Sequence, residues 1–377
     1  MNKVAKVIIP IAVAAAAATA CTNKTTLSGI DPKAFEGEYE GKPTELYVLT
    51  NGKGMEVCVT NFGGRIVSVV VPDAQGQPKD VVLGFDSIQG YLGSDINFGA
   101  AIGRYGNRIA NGRFTLDGQE YVLYQNNGTN CLHGGKVGYD RRMFDLVEKG
   151  DNYVKLGLLD PDGYESFPGN LKVVITYSID EDNRLSLKYE GETDAPTVFN
   201  PTNHTYFNLN ADGSKDILDC TLYINADLYT PTDEAQIPLG ELAPVEGTVF
   251  DFTTAKALSV GLDDPADEQM KIGQGWDHNW VLNTKGDISV LAAELYSPET
   301  DIVMDVYTSE PGLQVYGGNF INGEKGKGGV NYVRRSAICL ESQHYPDSPN
   351  KPEFPSTVLR PGEKFVSETI YAFSVKK

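Results

Sequence analysis

The four histidines of the chain are its first candidates for chemistry, because imidazole changes its protonation state near neutral pH. His133 is followed by two glycines, and His204 stands in the run Asn-His-Thr-Tyr-Phe-Asn. His278 follows Asp277, and His344 lies nearer the C-terminus. A histidine and a carboxylate on opposite sides of a substrate can donate one proton while accepting another. Their aromatic and polar neighbours suit a sugar, which has apolar faces and a rim of hydroxyls.

Metal and nucleophilic chemistry have less support from the same residues. A metal site would need two or three histidines and a carboxylate at short spacing on one element, and no such spacing occurs. Asp277 and His278 would point to opposite faces of an extended strand. No GxSxG turn is present to expose a nucleophilic serine. We therefore expect neither a metal nor a cofactor.

The charge of the chain limits its partners. The formal net charge is −19 at pH 7. A charge of this sign repels nucleic acid and anionic lipid, so we expect neither as a partner. It also disfavours phosphorylated substrates unless a local basic pocket overrides the field. A small neutral molecule is the ligand that this composition favours.

Four cysteines are spread widely over the chain, at Cys58, Cys131, Cys220 and Cys339, with no CxxC pair among them. This is neither the spacing of a zinc site nor the density of a disulfide scaffold. We expect buried free thiols, although one bridge in an oxidising compartment stays open.

The N-terminus has the features of a bacterial export signal. Lys3 and Lys6 precede an uncharged, alanine-rich stretch over 7–18, too short to span a bilayer, which predicts a signal peptide over 1–20. The next residue, Cys21, resembles the lipidated cysteine of bacterial lipoproteins, although alanine replaces the usual leucine three residues earlier. Cleavage that leaves Cys21 unmodified stays an alternative.

The predicted organisation is a lipid-anchored tether over 21–33 followed by a single domain over 34–377. No second apolar run is long enough to cross a membrane. We therefore expect an exported protein that meets the membrane only through Cys21, on the periplasmic side.

The elements that must position the candidate residues are almost all strands. Gly and Pro, 40 and 20 in number, punctuate short segments rich in β-branched and alternating residues. Asp117-Gly118 predicts a hairpin between 113–116 and 119–123. Only short one-turn helices are expected, for instance around 86–92. The other predicted strands are 55–61, 66–71, 171–179, 185–189, 301–307, 313–316 and 337–340. Together they predict an all-β fold, a large antiparallel β-sandwich.

A series of motifs in register resembles the aldose 1-epimerase (galactose mutarotase) family. The resemblance runs from about residue 35 to the C-terminus. The matching segments are 98–100 (FGA), 103–110 (GRYGNRIA), 132–135 (LHGG), 202–209 (TNHTYFNL), 277–279 (DHN), 311–316 (PGLQVY), 318–320 (GNF), 340–343 (LESQ), 346–347 (PD) and 359–363 (LRPGE). It implies a β-sandwich of the galactose-mutarotase type and a free aldose such as glucose or galactose as substrate.

The resemblance also implies roles for matched residues. His204 corresponds to the general acid that protonates the ring oxygen, and Glu341 to the general base that takes the C1 hydroxyl proton. We expect imidazolium and carboxylate as their working forms near neutral pH. His133 corresponds to a second active-site histidine near the ring oxygen. The implied substrate-binding residues are Asn107, Arg108, Thr205, Tyr206, Asp277 and Gln314.

Two further expectations concern the histidines and the strand of Glu341. The family pattern gives His278 and His344 no role, and we interpret both as structural or rim residues. Glu341 follows an extended apolar run, so its side chain shares one strand face with that of Cys339. A glutamate on such a strand is unusual unless it has a partner, which favours a functional role.

Two alternatives from other classes stay open. One is a carbohydrate-binding lipoprotein without catalysis, which would not need both His204 and Glu341. The other is a hexose-phosphate 1-epimerase, which would need extra basic residues around the pocket. Arg104 and Arg108 are present, but the negative charge of the chain and its predicted export argue against a phosphorylated substrate.

Overall fold

The computed structural model describes residues 25–376, and this part of the chain contains two short α-helices. Helix α1 spans Ile88–Leu92, where Ser87 Oγ accepts a hydrogen bond from Gly90 N at 3.4 Å. Helix α2 spans Glu268–Gly273, where Asp267 Oδ1 accepts from Met270 N at 3.0 Å. The 3-10 helices are Pro32–Phe35, Ala110–Gly112, Tyr139–Arg141, Tyr164–Ser166, Lys327–Gly329 and Ser348–Asn350. The one-turn helix expected around 86–92 is confirmed, and α2 is a second short helix, whose position was not predicted.

Strands make up most of the described chain. The first half contains β1 Gly37–Tyr39, β2 Lys42–Thr44, β3 Leu46–Thr50, β4 Glu56–Thr60, β5 Arg65–Pro72, β6 Pro78–Asp80, β7 Ala100–Ile102, β8 Arg108–Ile109, β9 Arg113–Leu116, β10 Gln119–Val122, β11 Cys131–Leu132, β12 Asp145–Lys149, β13 Tyr153–Asp160, β14 Leu171–Ile179 and β15 Arg184–Thr193. The second half contains β16 Thr197–Val198, β17 Thr202–His204, β18 Tyr206–Phe207, β19 Thr221–Ile224, β20 Leu228–Thr230, β21 Ala243–Pro244, β22 Lys256–Ala257, β23 Asp277–Val281, β24 Ala293–Tyr296, β25 Ile302–Thr308, β26 Gly312–Tyr316, β27 Ile338–Gln343, β28 Val358–Leu359 and β29 Phe365–Val375.

Three large antiparallel sheets carry the architecture. A nine-stranded sheet has the order β12-β13-β14-β15-β29-β25-β24-β19-β22, and a six-stranded sheet has the order β18-β27-β26-β23-β20-β21. A four-stranded sheet, β3-β4-β5-β6, accompanies them. In β14 buried positions alternate with exposed or half-buried ones, as in a strand that presents one face to a core. The predicted all-β, antiparallel fold is confirmed.

One apolar core joins the sheets. Val173 and Tyr371 from the nine-stranded sheet, Trp280 and Leu340 from the six-stranded sheet and Val57 from the four-stranded sheet belong to the same buried cluster. Burial of apolar surface on this scale is the main stabilising term of such a fold. The six-stranded sheet therefore has one face in the core, and its other face is left for polar side chains.

The predicted hairpin and long strands match the structure closely. Leu116 pairs with Gln119 across a turn in which Asp117 and Gly118 both have positive φ, at 50° and 82°. These values fit the tolerance of Asp and Gly for the left-handed region. The alternating segments around 171–179 and 185–189 form β14 and β15, which pair in register from Leu171 to Ile179.

The folded part begins earlier in the chain than residue 34. Thr26 and Ile30 are buried, and Thr26 Oγ1 donates a hydrogen bond to Ile30 O at 2.9 Å. Leu27 N donates to Glu56 Oε1 at 2.6 Å. Residues 25–33, predicted as tether, thus pack against the sandwich, because apolar Ile30 and backbone hydrogen bonds outweigh their polar composition. The predicted signal peptide and Cys21 lie outside the described residues.

The described residues also bear on the thiols and on the membrane. Cys58, Cys131, Cys220 and Cys339 are all free and buried, so the expectation of buried free thiols is confirmed. Among residues 25–376, no helix has both the length and the apolar character needed to cross a bilayer.

A buried ion pair anchors the loop that leads to Asn107 and Arg108. The Arg104 side chain is 1% exposed, and its Nε lies 2.7 Å from Asp160 Oδ2. Its guanidinium also donates to the carbonyls of Pro168 and Gly169 and to a threonine hydroxyl, at 2.6, 3.0 and 3.0 Å. Asp160 accepts further hydrogen bonds from Arg142 and from the Tyr139 hydroxyl. A guanidinium with all these partners is satisfied within the fold.

We expect Asp160→Asn to lower the free energy of unfolding by about 3 kcal/mol, because it leaves Arg104 buried without its countercharge. Urea denaturation followed by tryptophan fluorescence measures this change. The matched control is Glu181→Gln, which breaks a solvent-exposed pair with Lys53 and should leave the unfolding midpoint unchanged. Equal midpoints for Asp160→Asn and the wild type would contradict a structural role for the pair.

Candidate active site

A cavity of ≈ 230 Å³ brings together most of the residues that the sequence singled out. Seven predicted site residues line it, namely Asn107, Arg108, His133, His204, Tyr206, Asp277 and Glu341. The other lining residues are Asn97, Asn127, Leu132, Tyr316 and Phe320. These side chains come from positions more than two hundred residues apart in the sequence, so the tertiary fold assembles the site.

The register of the six-stranded sheet places the acidic residues on one face. Glu341 in β27 lies opposite Gln314 in β26, and Gln314 lies opposite Asn279 in β23. Opposed residues of an antiparallel pair share a face, as do residues two apart. Asp277, two residues before Asn279, therefore joins Gln314 and Glu341 on the face turned away from the core. Leu340, on the opposite face, enters the core.

His204 and Glu341 form a close pair at the cavity. His204 Nε2 lies 3.6 Å from Glu341 Oε1, and the two side chains are 8% and 2% exposed. His204 is the last residue of β17, which pairs with β7. The ring of His204 stacks on Tyr206, with centroids 5.0 Å apart. One nitrogen and one carboxylate oxygen are thus close enough to act on two atoms that are bonded to the same carbon of a ligand.

Burial sets the protonation of this pair. It raises the pKa of Glu341 well above its usual value, an effect that nearby Asp277 strengthens and Arg108 opposes. It also lowers the pKa of His204 to about 4, against a smaller opposing effect of its own backbone carbonyl. In the empty site, burial therefore favours the protonated carboxyl of Glu341 and the neutral ring of His204 over the expected imidazolium and carboxylate.

His133 stands beside His204, with ring centroids 5.4 Å apart. Its Nδ1 accepts a hydrogen bond from Asn107 N at 3.1 Å, so Nε2 carries the hydrogen of the neutral ring. Burial, with the charges of His204 and Arg108, lowers the pKa of His133 well below its usual value. Gly134 makes this arrangement possible, because its φ is +90° and a Cβ there would lie 2.0 Å from Gly103 O. His133 is therefore a neutral donor at the cavity.

Amide side chains hold Arg108 and Asp277 in place. Arg108 Nη2 donates to Gln236 Oε1 at 2.7 Å, and Gln236 Nε2 donates to Asp277 Oδ2 at 2.7 Å. Asn127 Oδ1 accepts from Arg108 Nε at 3.1 Å. Gln236 thus bridges a cation and an anion across the cavity without neutralising either, which leaves both side chains directed at a ligand.

Two residues predicted to bind substrate do not line the cavity. Thr205 is 1% exposed and its hydroxyl donates to Asn203 Oδ1. Gln314 is 3% exposed, and its Nε2 donates to Asp277 Oδ1 at 2.7 Å. Thr205 is turned inward because its strand neighbours already supply the cavity face. Gln314 contacts Asp277, so it orients a lining residue where a direct contact with sugar was expected.

The two histidines interpreted as structural lie away from the cavity. His278 is 1% exposed and packs on Phe250, with centroids 4.8 Å apart. It faces the core side of β23, as the alternation from Asp277 predicts. His344 Nδ1 lies 2.6 Å from Glu310 Oε2, in a hydrogen bond separate from the cavity. Both placements agree with the interpretation made from the sequence.

Several lining residues were missed from the sequence. Tyr316 and Phe320 fall within quoted motifs, and Asn97 directly precedes another, but no role was inferred for them. Asn127 and Gln236 come from loops without a recognisable pattern. Proximity to a motif could have indicated the first three, whereas only the folded loops reveal the last two.

A second cavity, of ≈ 250 Å³, lies elsewhere on the molecule and contains no histidine. Its one lysine, Lys327, is bound to Asp80 and to Val67 O. Within residues 25–376, no group of three or more His, Cys, Asp or Glu side chains is placed to hold a metal ion. The acid–base pair is therefore the feature of the described residues that most clearly indicates chemistry.

Comparison with known proteins identifies the family. The model of the Aldose 1-epimerase family matches residues 45–372. The chain belongs to the aldose 1-epimerase family. It is 41% identical to the aldose 1-epimerase of Escherichia coli over 337 residues, which cover 89% of this chain and 96% of that protein. It is 42% identical to the galactose mutarotase of Rattus norvegicus over 336 residues, 89% and 95% of the two chains.

Solved structures of the aldose 1-epimerase family share the fold. The GalM/aldose epimerase homologue from C. elegans superimposes with a TM-score of 0.83 at 29% identity and covers 89% of this chain and all of its own. Galactose 1-epimerase from Lactobacillus acidophilus gives a TM-score of 0.79 at 32% identity, covering 90% and 97%. The predicted sandwich of the galactose-mutarotase type is thereby confirmed.

The raised pKa of Glu341 in this aldose 1-epimerase family member predicts a stability effect. The folded chain keeps a proton on Glu341 that the unfolded chain releases near its lower pKa, so the stabilisation from this proton is lost as pH rises toward the folded pKa. Glu341→Gln has no such loss. We expect its Tm to rise relative to wild type between pH 5 and pH 8, as measured by calorimetry.

The control for this measurement is Glu310→Gln, which changes a buried glutamate at a different site. A Tm difference between Glu341→Gln and wild type that stays constant or shrinks with rising pH would show that Glu341 is ionised in the folded protein.

Proposed function

We propose that this chain is a mutarotase that interconverts the α and β anomers of free aldoses such as glucose and galactose. The observation that carries the proposal is the pair His204 and Glu341, 3.6 Å apart at one cavity and almost fully buried. The family and the names of its relatives, aldose 1-epimerase and galactose mutarotase, describe the same reaction. The protein acts as an isomerase.

The geometry supports a ring-opening step with two proton transfers. Glu341, as carboxylate, takes the proton of the C1 hydroxyl while His204 gives its Nε2 proton to the ring oxygen. The bond between C1 and the ring oxygen breaks, its electron pair stays on that oxygen, and C1 becomes an aldehyde carbon. Each transfer avoids a charged sugar intermediate. After this step His204 is neutral and Glu341 is protonated.

Ring closure reverses the transfers from the other face of the aldehyde. Rotation about the C1–C2 bond presents that face to the hydroxyl that becomes the ring oxygen. Neutral His204 takes the hydroxyl proton at Nε2, and protonated Glu341 gives its proton to the carbonyl oxygen. The pair returns to its starting form without a cofactor. The raised pKa of Glu341 and the lowered pKa of His204 favour the form with the proton on Glu341, from which ring closure starts.

The rest of the cavity suits an uncharged polyol. Arg108 and His133 offer N–H donors, Asp277 offers an acceptor, and Asn107 and Tyr206 complete the predicted binding set at the cavity. We propose these five as substrate-binding residues. Thr205 and Gln314 support these five residues without lining the cavity. Thr205 stabilises the local chain through its hydrogen bond, and Gln314 orients Asp277.

The hexose-phosphate alternative has less support. Both candidate arginines already have partners within the protein. Arg104 is bound to Asp160 and to backbone carbonyls. Arg108 donates hydrogen bonds to Gln236 and Asn127. The carboxylate of Asp277 would repel a phosphate at the same cavity. A binding protein without catalysis would not need a carboxyl buried beside His204, because burial of a charge costs stability. Neither alternative explains the pair.

Polarimetry of freshly dissolved α-D-glucose and α-D-galactose tests the function. We expect the wild type to accelerate the approach to equilibrium rotation and Glu341→Gln to reduce kcat by about a hundredfold or more. Glu310→Gln serves as the matched control and should retain full activity. No acceleration by the wild type on either sugar would refute the proposal, and sugar binding by Glu341→Gln without turnover would separate binding from catalysis.

We also propose that the protein is exported and anchored through Cys21, with the sandwich on the periplasmic side. The support is the sequence pattern of residues 1–21, a basic start, an apolar stretch and small residues before a cysteine. On this proposal the anchor is the protein's contact with the membrane, and the substrate is a sugar outside the inner membrane.

We expect Cys21→Ser to move the protein from the membrane fraction of washed cells to the soluble fraction, because it removes the acceptor of the lipid. Immunoblots of the two fractions measure the distribution. Cys58→Ser, at a buried thiol within the sandwich, controls for loss of a cysteine as such. Retention of Cys21→Ser in the membrane fraction would exclude the lipid anchor.

A further inference from the structure

The side chain of Cys339 contacts the catalytic histidine from behind. Cys339 Sγ lies 3.3 Å from His204 Nδ1, and the residue is 0% exposed. It stands two residues before Glu341 in β27, so both side chains project from the same face of the sheet. One short strand thus supplies the partner of each His204 nitrogen, because Glu341 faces Nε2.

The proposed reaction restricts which nitrogen of His204 carries the hydrogen in the neutral ring. The ring must give a proton to the sugar at Nε2 and later take one back at the same atom. In its neutral form the hydrogen must therefore remain on Nδ1, which then needs an acceptor. A third group that orients a catalytic base is a recurring feature of acid–base sites. The side chain placed to accept from Nδ1 is that of Cys339.

We propose that Cys339 is a positioning residue, whose sulfur accepts a hydrogen bond from His204 Nδ1–H and keeps Nε2 free to exchange protons with the sugar ring oxygen. This inference rests on the proposed mutarotase function. It assigns a role to a thiol that neither touches the sugar nor takes part in the proton transfers.

An uncharged acceptor suits this histidine better than a carboxylate would. A carboxylate at Nδ1 would favour the imidazolium and raise the pKa of His204, making it a weaker acid toward the ring oxygen. Burial raises the pKa of the Cys339 thiol well above its usual value, so it stays uncharged in the assay range. The sulfur of a thiol is a weak hydrogen-bond acceptor. It can therefore orient the His204 ring while burial still determines the acidity of that ring.

Apart from the backbone carbonyl of His204 itself, which also accepts a hydrogen bond from the ring, the other groups around His204 do not replace the thiol. Tyr206 and Tyr316 contact the ring through their aromatic faces and edges, at centroid distances of 5.0 and 5.9 Å. His133 lies edge-on at 5.4 Å and has its own partner, Asn107 N. Arg65 acts on His204 only through its charge, which lowers the pKa. Glu341 faces the opposite nitrogen.

The tautomer of His204 is the direct test. In protein labelled with ¹⁵N-histidine, the ring shifts at pH 7 distinguish Nδ1–H from Nε2–H, and His204→Gln assigns the signal. We expect Nδ1–H in the wild type and in Cys339→Ser, which keeps an acceptor. In Cys339→Ala we expect the Nε2–H form to appear. A wild-type ring with Nε2–H would overturn the proposal, because the thiol would then be the donor.

Kinetics supply the second readout. We expect Cys339→Ala to lower kcat about fivefold with KM little changed, as for the loss of one uncharged hydrogen bond, and Cys339→Ser to recover most of it. Cys58→Ala removes the same atoms from another fully buried site and should change neither kcat nor the tautomer. Equal losses in Cys339→Ala and Cys58→Ala, or an unchanged tautomer in Cys339→Ala, would refute the proposal.

The two proposals can fail separately. If the wild type does not accelerate mutarotation, the function fails, while the wild-type NMR spectrum still decides whether the Nδ1–H bond to sulfur exists. If mutarotation proceeds and the ring is Nε2–H, only the role of Cys339 is lost. The wild-type spectrum also decides the matter if Cys339→Ala does not fold.

Discussion

The burial of the Glu341 carboxyl beside His204 is the constraint on which the rest of the site depends. An ionised carboxylate that is 2% exposed loses most of its hydration, and Arg108, the one cation among the described residues that line the cavity, is shared with neutral amides. Burial therefore favours the protonated carboxyl of Glu341 and the neutral ring of His204 in the empty site. In the proposed reaction each group exchanges a proton with the sugar, so the pair alternates between this form and imidazolium with carboxylate.

A sheet is a suitable support for such a pair, because strand positions are fixed by hydrogen bonds on both sides. β27 lies between β18 and β26, and its register with β26 places Glu341 opposite Gln314, which in turn holds Asp277. The loop residues of the site are held by side-chain contacts. The satisfied guanidinium of Arg104 anchors the loop before Arg108, and Gln236 bridges Arg108 to Asp277. Strands carry His204 and Glu341, the proposed acid and base, as well as Arg108, Tyr206 and Asp277, whereas Asn107 and His133 lie in loops.

Much of the architecture could be predicted from local pattern. The alternation in 171–179 was sufficient to predict a strand, and the Asp117-Gly118 turn was sufficient to predict a hairpin. Both predictions succeeded because period-two burial and positive φ are local properties. The same alternation placed Cys339 with Glu341, and His278 away from Asp277. Local pattern did not predict that residues 25–33 pack against the sandwich, because their composition is mostly polar. It also did not locate α2, a short helix within an otherwise extended chain.

By itself the sequence determined the fold class, the family motifs and the identity of the acid–base candidates, since these depend on residue type and spacing along the chain. Only the tertiary structure decided how they act together. It turned Thr205 and Gln314 away from the cavity and recruited Gln236 from a distant loop. It also raised the pKa of Glu341 by burial and placed a thiol behind His204, because desolvation and side-chain contact depend on neighbours that only folding brings within a few ångströms.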